Sequence, residues 1–211
     1  MTTGDLKAYF ESKFDRSDSW NFATSEYELV KYNRQVDLID DRVGSIDRIL
    51  EIGCAEGVHS QMLLEAFPRA RLLGIDLSDT AVKKCRSRVP EDRCRIVSAD
   101  ATEYLHEITG SFDVIVWSET LYYMAAQMAG PELHDYVESL FDILRPEGIL
   151  VTANLPGQTG SPEERLTKSA LMETYHELLA GVGTEVHRSQ YTERKAESDS
   201  TYTYEIWAFK P

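Results

Sequence analysis

Apolar residues recur along this chain with two different periods, and the change of period divides it. Leu6, Tyr9, Phe10 and Phe14 stand at i, i+3, i+4 and i+8, the spacing of one helical face. A second helix is expected from Ser25 to Asp41, opened by Ser25 with Glu28 three residues on, the spacing of a capping box. Asp15 to Phe22 between them reads as a turn. From Ile46 onward short aliphatic runs alternate with amphipathic stretches, the signature of a parallel sheet covered by helices on both faces. Strands are expected at Arg48 to Ile52, Arg71 to Asp76, Cys94 to Ser98, Asp113 to Ser118 and Gly148 to Asn154. Helices are expected at His59 to Phe67, Asp79 to Arg88, Ala101 to Glu107, Pro131 to Leu144 and Ser169 to Gly181, the last after a polar loop from Pro156 to Pro162. Glu185 to Ser189 and Thr201 to Phe209 leave no room for a helix between them, so a hairpin with a charged loop, Glu193 to Ser200, ends the sheet and its last strand runs antiparallel.

Size and charge narrow the function. At 211 residues with 42% hydrophobic content, the chain suits one domain, 1–211, with 1–45 as a helical N-terminal part. No apolar run reaches the roughly 18 to 20 residues of a membrane helix, and Met1 to Asp5 lacks a basic and apolar leader, so no membrane partner and a cytoplasmic location are expected. Cys54, Cys85 and Cys94 follow no CxxC spacing and read as reduced thiols. A net charge of −14 disfavours nucleic-acid partners, whose phosphates are bound by Lys and Arg. It keeps the protein dispersed in water, or favours a neutral or cationic partner. The five histidines show no ligand spacing, so no metal is expected, and Ser118 lies in no GxSxG elbow.

The candidate chemistry lies at successive strand ends. The first strand runs into Glu51-Ile52-Gly53-Cys54-Ala55-Glu56-Gly57, a strand-to-helix turn of the kind where open α/β sheets bind ligands. Gly53 and Gly57 allow a sharp turn and a close ligand approach. Asp76 follows 23 residues after Gly53, where a carboxylate can accept both hydroxyls of a ribose, and Asp100 follows 24 residues later, where it can accept from the amine of adenine. Taken singly, each aspartate also fits a helix N-cap. The spacing GxxxG, with Glu51 and Glu56 beside it, does not suit the pyrophosphate of a dinucleotide, which needs GxGxxG and no adjacent negative charge. The cationic amino and sulfonium groups of S-adenosylmethionine accord with those carboxylates.

On these residues, from Ile46 to Phe209, the chain resembles the class I methyltransferases. Arg48 to Gly57 is similar to their first motif, Leu72 to Ser78 to the second, Ser98 to Ala101 to the third and Phe112 to Met124 to the fourth, with Ala55 where many members carry a middle glycine. The resemblance implies a Rossmann-like seven-stranded, mostly parallel sheet of order 3-2-1-4-5-7-6, strand 7 antiparallel, with helices on both faces. It implies S-adenosylmethionine as cofactor and S-adenosylhomocysteine as product. A narrower resemblance is to the nodulation N-methyltransferases, which act on an amino sugar. It rests on Tyr9-Phe10-Glu11, Asp18-Ser19-Trp20-Asn21-Phe22, Ser25 to Glu28, Lys31-Tyr32, the glycine loop, Ser118-Glu119 and Tyr122-Tyr123. Ser19 stands where that pattern has proline, and the match loosens after Asn154.

The resemblance implies that the N-terminal helices close over the cofactor, with Trp20, Lys31 and Tyr32 on that lid. Lys31 would neutralise the methionine carboxylate and Trp20 would cover the cofactor. Trp20 as a core anchor and Lys31 as a solvated helix charge are the alternatives. Glu51, Gly53, Cys54, Gly57, His59, Asp76, Leu77, Asp100, Ala101 and Ser118 complete the expected cofactor site. Glu119, Tyr122, Tyr123 and His176 are the candidates to take a proton from an ammonium acceptor. The expected reaction is methylation of a small molecule, on an amine nitrogen in the first reading and on oxygen in the second. A cofactor-binding subunit without catalysis is the reading of a different class. The oligomeric state is left open.

Overall fold

The alternation of strands and helices resolves into one seven-stranded sheet in a computed structural model that describes residues 2–15, 21–124, 128, 130–156, 162–195 and 200–211. In chain order the elements are α1 (Thr3–Phe14), α2 (Glu26–Arg42), β1 (Arg48–Ile52), α3 (Val58–Ala66), β2 (Arg71–Asp76), α4 (Asp79–Arg88), β3 (Cys94–Ser98) and α5 (Ala101–Tyr104), which continues as a 3-10 turn to Glu107. Then come β4 (Phe112–Trp117), α6 (Leu121–Met124), α7 (Pro131–Asp142), β5 (Leu144–Asn154), α8 (Pro162–Val182), β6 (Thr184–Lys195) and β7 (Ser200–Lys210). The strand order is β3-β2-β1-β4-β5-β7-β6, with β7 antiparallel to both neighbours and the other pairs parallel. The expected class and order are therefore observed. No helix among the described residues is long and apolar enough to cross a membrane.

The two faces of the sheet follow from side-chain parity along the strands. Ile49, Val114, Val116, Ile149 and Val151 point to one face, which Leu38 and Ile39 of α2, Leu63 and Leu64 of α3 and Val82 of α4 cover. Leu50, Ile115, Trp117, Leu150 and Trp207 point to the other, under Val137 and Leu140 of α7 and Met172, Tyr175 and Leu179 of α8. The central β4 is buried along its whole length, and Val114 to Trp117 accordingly reads as a continuous apolar run.

Several boundaries differ from expectation for local reasons. β4 lies one residue earlier than predicted, and β5 starts at Leu144 rather than Gly148, because Leu144 pairs with Phe112 across a register shift. α7 accordingly stops at Asp142. β6 extends through Lys195 and β7 begins at Ser200, so half of the predicted loop Glu193 to Ser200 is strand, and the other half, residues 196–199, falls outside the described residues. α8 begins at Pro162, two turns before the predicted start. Ser25 is the N-cap residue of α2, but its side chain makes no capping bond, so the predicted capping box is not formed; the Glu28 carboxylate accepts a hydrogen bond from Lys31 instead.

The β6–β7 ladder runs past the rest of the sheet. β5 pairs with β7 only as far as Asn154 and Glu205, whereas β6 and β7 continue through five more pairs, from Tyr191 and Tyr204 to Lys195 and Ser200. This two-stranded arm carries Tyr191, Tyr202 and Tyr204 on one face, and Tyr27 of α2 packs on it with ring centroids 5.4 Å from both Tyr202 and Tyr204.

Candidate active site

A cavity of about 430 Å³ opens at the carboxyl ends of β1, β2 and β4, within the range of about 300–1,000 Å³ usual for small-molecule sites. Its floor is the turn after β1. Gly53 and Cys54 donate their N–H groups to the Ile75 carbonyl at 2.8 and 3.1 Å, which ties the turn to β2. Gly53 has φ +82°, and a Cβ there would lie 2.3 Å from the Thr120 methyl. Gly57 (φ +78°) does not line the cavity: it caps α3, and a Cβ would meet Cys85 Sγ at 2.7 Å. Its freedom therefore serves the packing of α3 on α4, a correction to the expectation of close ligand approach.

Ala55 takes φ +47°, a left-handed conformation that costs a residue with a Cβ about 1–2 kcal/mol. Ala55→Gly is expected to raise stability by up to about 1 kcal/mol, the relief of strain being partly offset by the freer unfolded chain. Thermal unfolding should show a rise of about 2–4 °C; a fall would mean that the Ala55 methyl packs favourably enough to outweigh its backbone strain.

Asp76 holds two turns together. Its Oδ2 accepts the Ala55 N–H and its Oδ1 the Ser78 N–H, each at 2.9 Å, leaving further lone pairs toward the cavity. Burial, reinforced by the charges of Glu51 and Glu11, pushes its carboxyl up to about 6 despite those two N–H donors. Asp100 is the N-cap of α5: Oδ1 accepts from Thr102 N and Oγ1, and Oδ2 from Thr3 Oγ1 of α1 at 3.1 Å. Asp76 and Asp100 line the same cavity, as do Leu77 and Ala101.

On the opposite wall a buried charge cluster joins α2 to β4. Lys31 is 1% exposed, and its Nζ lies 2.6 Å from both Glu28 and Glu119, with the Tyr32 and Tyr204 rings at 5.0 and 5.2 Å. Burial alone would depress the ammonium; the carboxylates of Glu119 and Glu28 override it and hold Lys31 well above its ordinary value. Lys31 is thus neither a solvated helix charge nor an isolated cation. Glu119 itself has φ +56°, with its N–H directed to the Ala153 carbonyl and to Asn154 Oδ1, both 3.1 Å away. Strained backbone of this kind persists where the surrounding structure over-determines it, and it concentrates at functional sites. Tyr122 donates to Glu119 at 3.3 Å, and Tyr123 meets Phe10 of α1 edge-on at 4.9 Å. Burial raises both phenols, Tyr123 to about 12, so they serve as donors at neutral pH. Ser118 donates to Gln35 and accepts the Ala153 N–H, linking α2 to β5.

Of the other expected site residues, Tyr32, Glu51, Cys54 and His59 line the cavity, and Trp20 lies outside the described residues. His176 is not in the cavity, a correction. It sits on α8 against Trp207 and Phe209, bonded to Glu185 and 3.3 Å from Arg188, toward the end of β7 remote from the strand edge that lines the site. Among the described residues, one His/Asp/Glu group has metal-ligand proximity, His134, Asp135 and Glu138 on α7; it is exposed and does not line the cavity.

Sequence reasoning missed Glu28, Tyr27, Tyr202 and Tyr204 as site residues, all of which line the cavity. The i, i+3 spacing of Glu28 and Lys31 and the alternation of Tyr202 with Tyr204 were available signals. It also missed how α1 is fastened. Glu11 accepts from the Thr80 hydroxyl at 2.6 Å and from the Asp79 N–H at the start of α4, and Lys7 pairs with Asp79 at 2.9 Å.

Comparison with known proteins agrees with this architecture. The sequence profile of Nodulation protein S (NodS) matches residues 2–169. Among solved structures, the N-methyltransferase NodS from Bradyrhizobium japonicum, in complex with S-adenosylhomocysteine, is 21% identical, with 97% of each chain covered and a TM-score of 0.74. At that identity the likeness shows a shared fold. Curated relatives include the malonyl-[acyl-carrier protein] O-methyltransferase of Priestia megaterium, 31% identical over 49% of this chain and 35% of the relative. The trans-aconitate 2-methyltransferase of Escherichia coli O157:H7 is 27% identical over 65% of this chain and 52% of the relative. The chain thus spans only about a third to a half of the length of these relatives.

Proposed function

The chain belongs to the nodulation protein S (NodS) family of class I methyltransferases, and from that footing we propose that it methylates an amine nitrogen of an amino sugar or related small metabolite, with S-adenosylmethionine as donor. The observation that carries the nitrogen acceptor is the charge of the cavity. Glu28, Glu51, Glu56, Asp76, Asp100 and Glu119 line it, whereas Lys31 is the lysine or arginine among the described lining residues. Lys84 reaches Glu56 from outside at 2.6 Å, so among the described residues the lining carries an excess of negative charge. A cationic ligand offsets that excess, and an anionic acceptor would add to it.

The order of the strands supports a division of the site. The nucleoside belongs over β3 and β2, against Asp76, Leu77, Asp100 and Ala101. The amino-acid part belongs over β1, against Glu51, Gly53, Cys54, His59 and Tyr32, with Ser118 at the edge of β4. The cofactor supplies a methyl group on a cationic sulfur that departs with the bonding electron pair. Residues 1–45 act as a lid on a single methyltransferase domain, 1–211, a reading supported by the Glu11 and Lys7 contacts to α4 and by Leu6, Phe10 and Phe14 on the cavity wall. The acceptor then lies beyond β4, among Tyr122, Tyr123, Tyr27, Tyr202 and Tyr204. Glu119 takes the proton that an ammonium must lose before its nitrogen can attack, and the tyrosines orient it.

The test is incubation with methyl-labelled S-adenosylmethionine and, in parallel, glucosamine, de-N-acetylated chitin oligomers and trans-aconitate. Label is expected on an amine, and Glu119→Gln should lower kcat by about 10²–10³ while S-adenosylhomocysteine still binds. Label on oxygen alone would favour the oxygen acceptor suggested by the name of the Priestia megaterium relative. Cofactor binding without transfer to any acceptor would favour the non-catalytic subunit.

A further inference from the structure

Two residues of the cavity wall, His59 and Thr120, carry a buried polar atom with no hydrogen-bond partner: His59 Nε2 and Thr120 Oγ1. His59 is the second residue of α3 and 6% exposed. Its ring is fixed on two sides. The Tyr32 ring stacks on it at 4.7 Å and 15°, and Glu51 Oε1 lies 3.3 Å from Nδ1. Glu51 is itself held, because Ser60 donates to its other oxygen. A bare Nδ1 would set its lone pair against the carboxylate, so Nδ1 carries the N–H and the unpartnered Nε2 is assigned as the acceptor. A buried acceptor without a donor is unfavourable, and a bound donor removes that cost.

We infer that His59 Nε2 receives an N–H of the α-ammonium group of the bound donor's amino-acid part, with Glu51 and Tyr32 as positioning residues that set its tautomer and plane. This rests on the proposed cofactor reading and deepens it. His59 and Glu51 flank the turn after β1, the stretch of wall between the nucleoside end at Asp76 and the charge cluster at Glu119. The class of ligand group follows from the chemistry: an acceptor atom, a carboxylate within a few ångströms and an aromatic face suit a primary ammonium, and they disfavour a carboxylate or phosphate.

Isothermal calorimetry with two ligands tests it. S-adenosylhomocysteine carries the α-ammonium, and 5′-methylthioadenosine keeps the nucleoside and sulfur but lacks the amino-acid part. His59→Phe keeps a ring to stack on Tyr32 and removes the acceptor; His59→Gln returns an oxygen near Nε2. His59→Phe is expected to weaken S-adenosylhomocysteine binding between about tenfold and about a hundredfold, the value of a charge-assisted hydrogen bond, and to leave 5′-methylthioadenosine within about twofold. His59→Gln should recover a large part of the loss. Equal weakening of both ligands, or no change in either, would overturn the inference while leaving the cofactor reading intact. Failure of the unaltered protein to bind S-adenosylhomocysteine would instead overturn that reading, and the inference with it.

Discussion

Asp76→Ala should weaken binding of S-adenosylhomocysteine by at least about two orders of magnitude. Two ribose hydroxyls donating to one carboxylate contribute about 1.5–3 kcal/mol each, and the same substitution frees the Ala55 and Ser78 N–H groups that hold the floor of the site. Asp76→Asn keeps one oxygen and should fall between the two. The acidity of the group gives a second signature. Its carboxyl is pushed up to about 6, chiefly by burial, above the ordinary carboxylate range near 4. In the unliganded protein a raised acid favours the folded state at low pH. That contribution is complete below about pH 4 and is lost as the pH rises to about 6, to the extent of about 3 kcal/mol. Ligand binding has the opposite sign, because ribose hydroxyls donate to the ionised form. Affinity should fall toward tenfold per unit as the pH drops below about 6, and Asp76→Asn should flatten that slope. An equal slope in both proteins would assign it to another group.

The largest effect on stability is expected at Lys31. Lys31→Met leaves Glu28 and Glu119 facing each other in a buried wall with no cation between them, a loss of about 3–5 kcal/mol. For a chain of this size the midpoint of thermal unfolding should drop on the order of 10 °C. Adding Glu28→Gln and Glu119→Gln to Lys31→Met should return more than half of it, because the stranded charges are then gone. A single variant that melts within about 2 °C of the unaltered protein would place the cluster among weak surface pairs. The prediction is about folding; it holds whatever the acceptor proves to be.

Much of this architecture was legible because its signals are local. β1 to β3 and both ends of α4 fall at the bounds read from the apolar runs, and the structure adds the Ser78 cap that starts α4. The reversed final strand followed from the lack of room for a helix between Ser189 and Thr201. What escaped was decided by tertiary pairing. Glu193 to Lys195 is charged throughout and reads as loop; it is strand because each residue pairs with its partner in β7. Pro162 to Lys168 offers only Leu166 toward an apolar face and is helical despite that. His176 shared its residue type with a catalytic base, but nothing in the sequence says which end of α8 faces the strand edge. Glu119 was found from its place after β4, while its positive φ and its bond to Lys31, 88 residues earlier in the chain, could be seen only in three dimensions.

The arm formed by β6 and β7 constrains how this site can diverge. Tyr202 and Tyr204 face Tyr27 because they share a parity in a ladder anchored at Asn154 and Glu205. Inserting or deleting a single residue between that anchor and the arm would turn both rings outward and bring threonines to the cavity, since strand side chains alternate. Changes of two residues would keep the aromatic wall and merely move its rim. Homologues that accept shorter or longer partners should therefore differ here by even numbers of residues, with odd differences absorbed at bulges such as the one already present between Glu185 and His187.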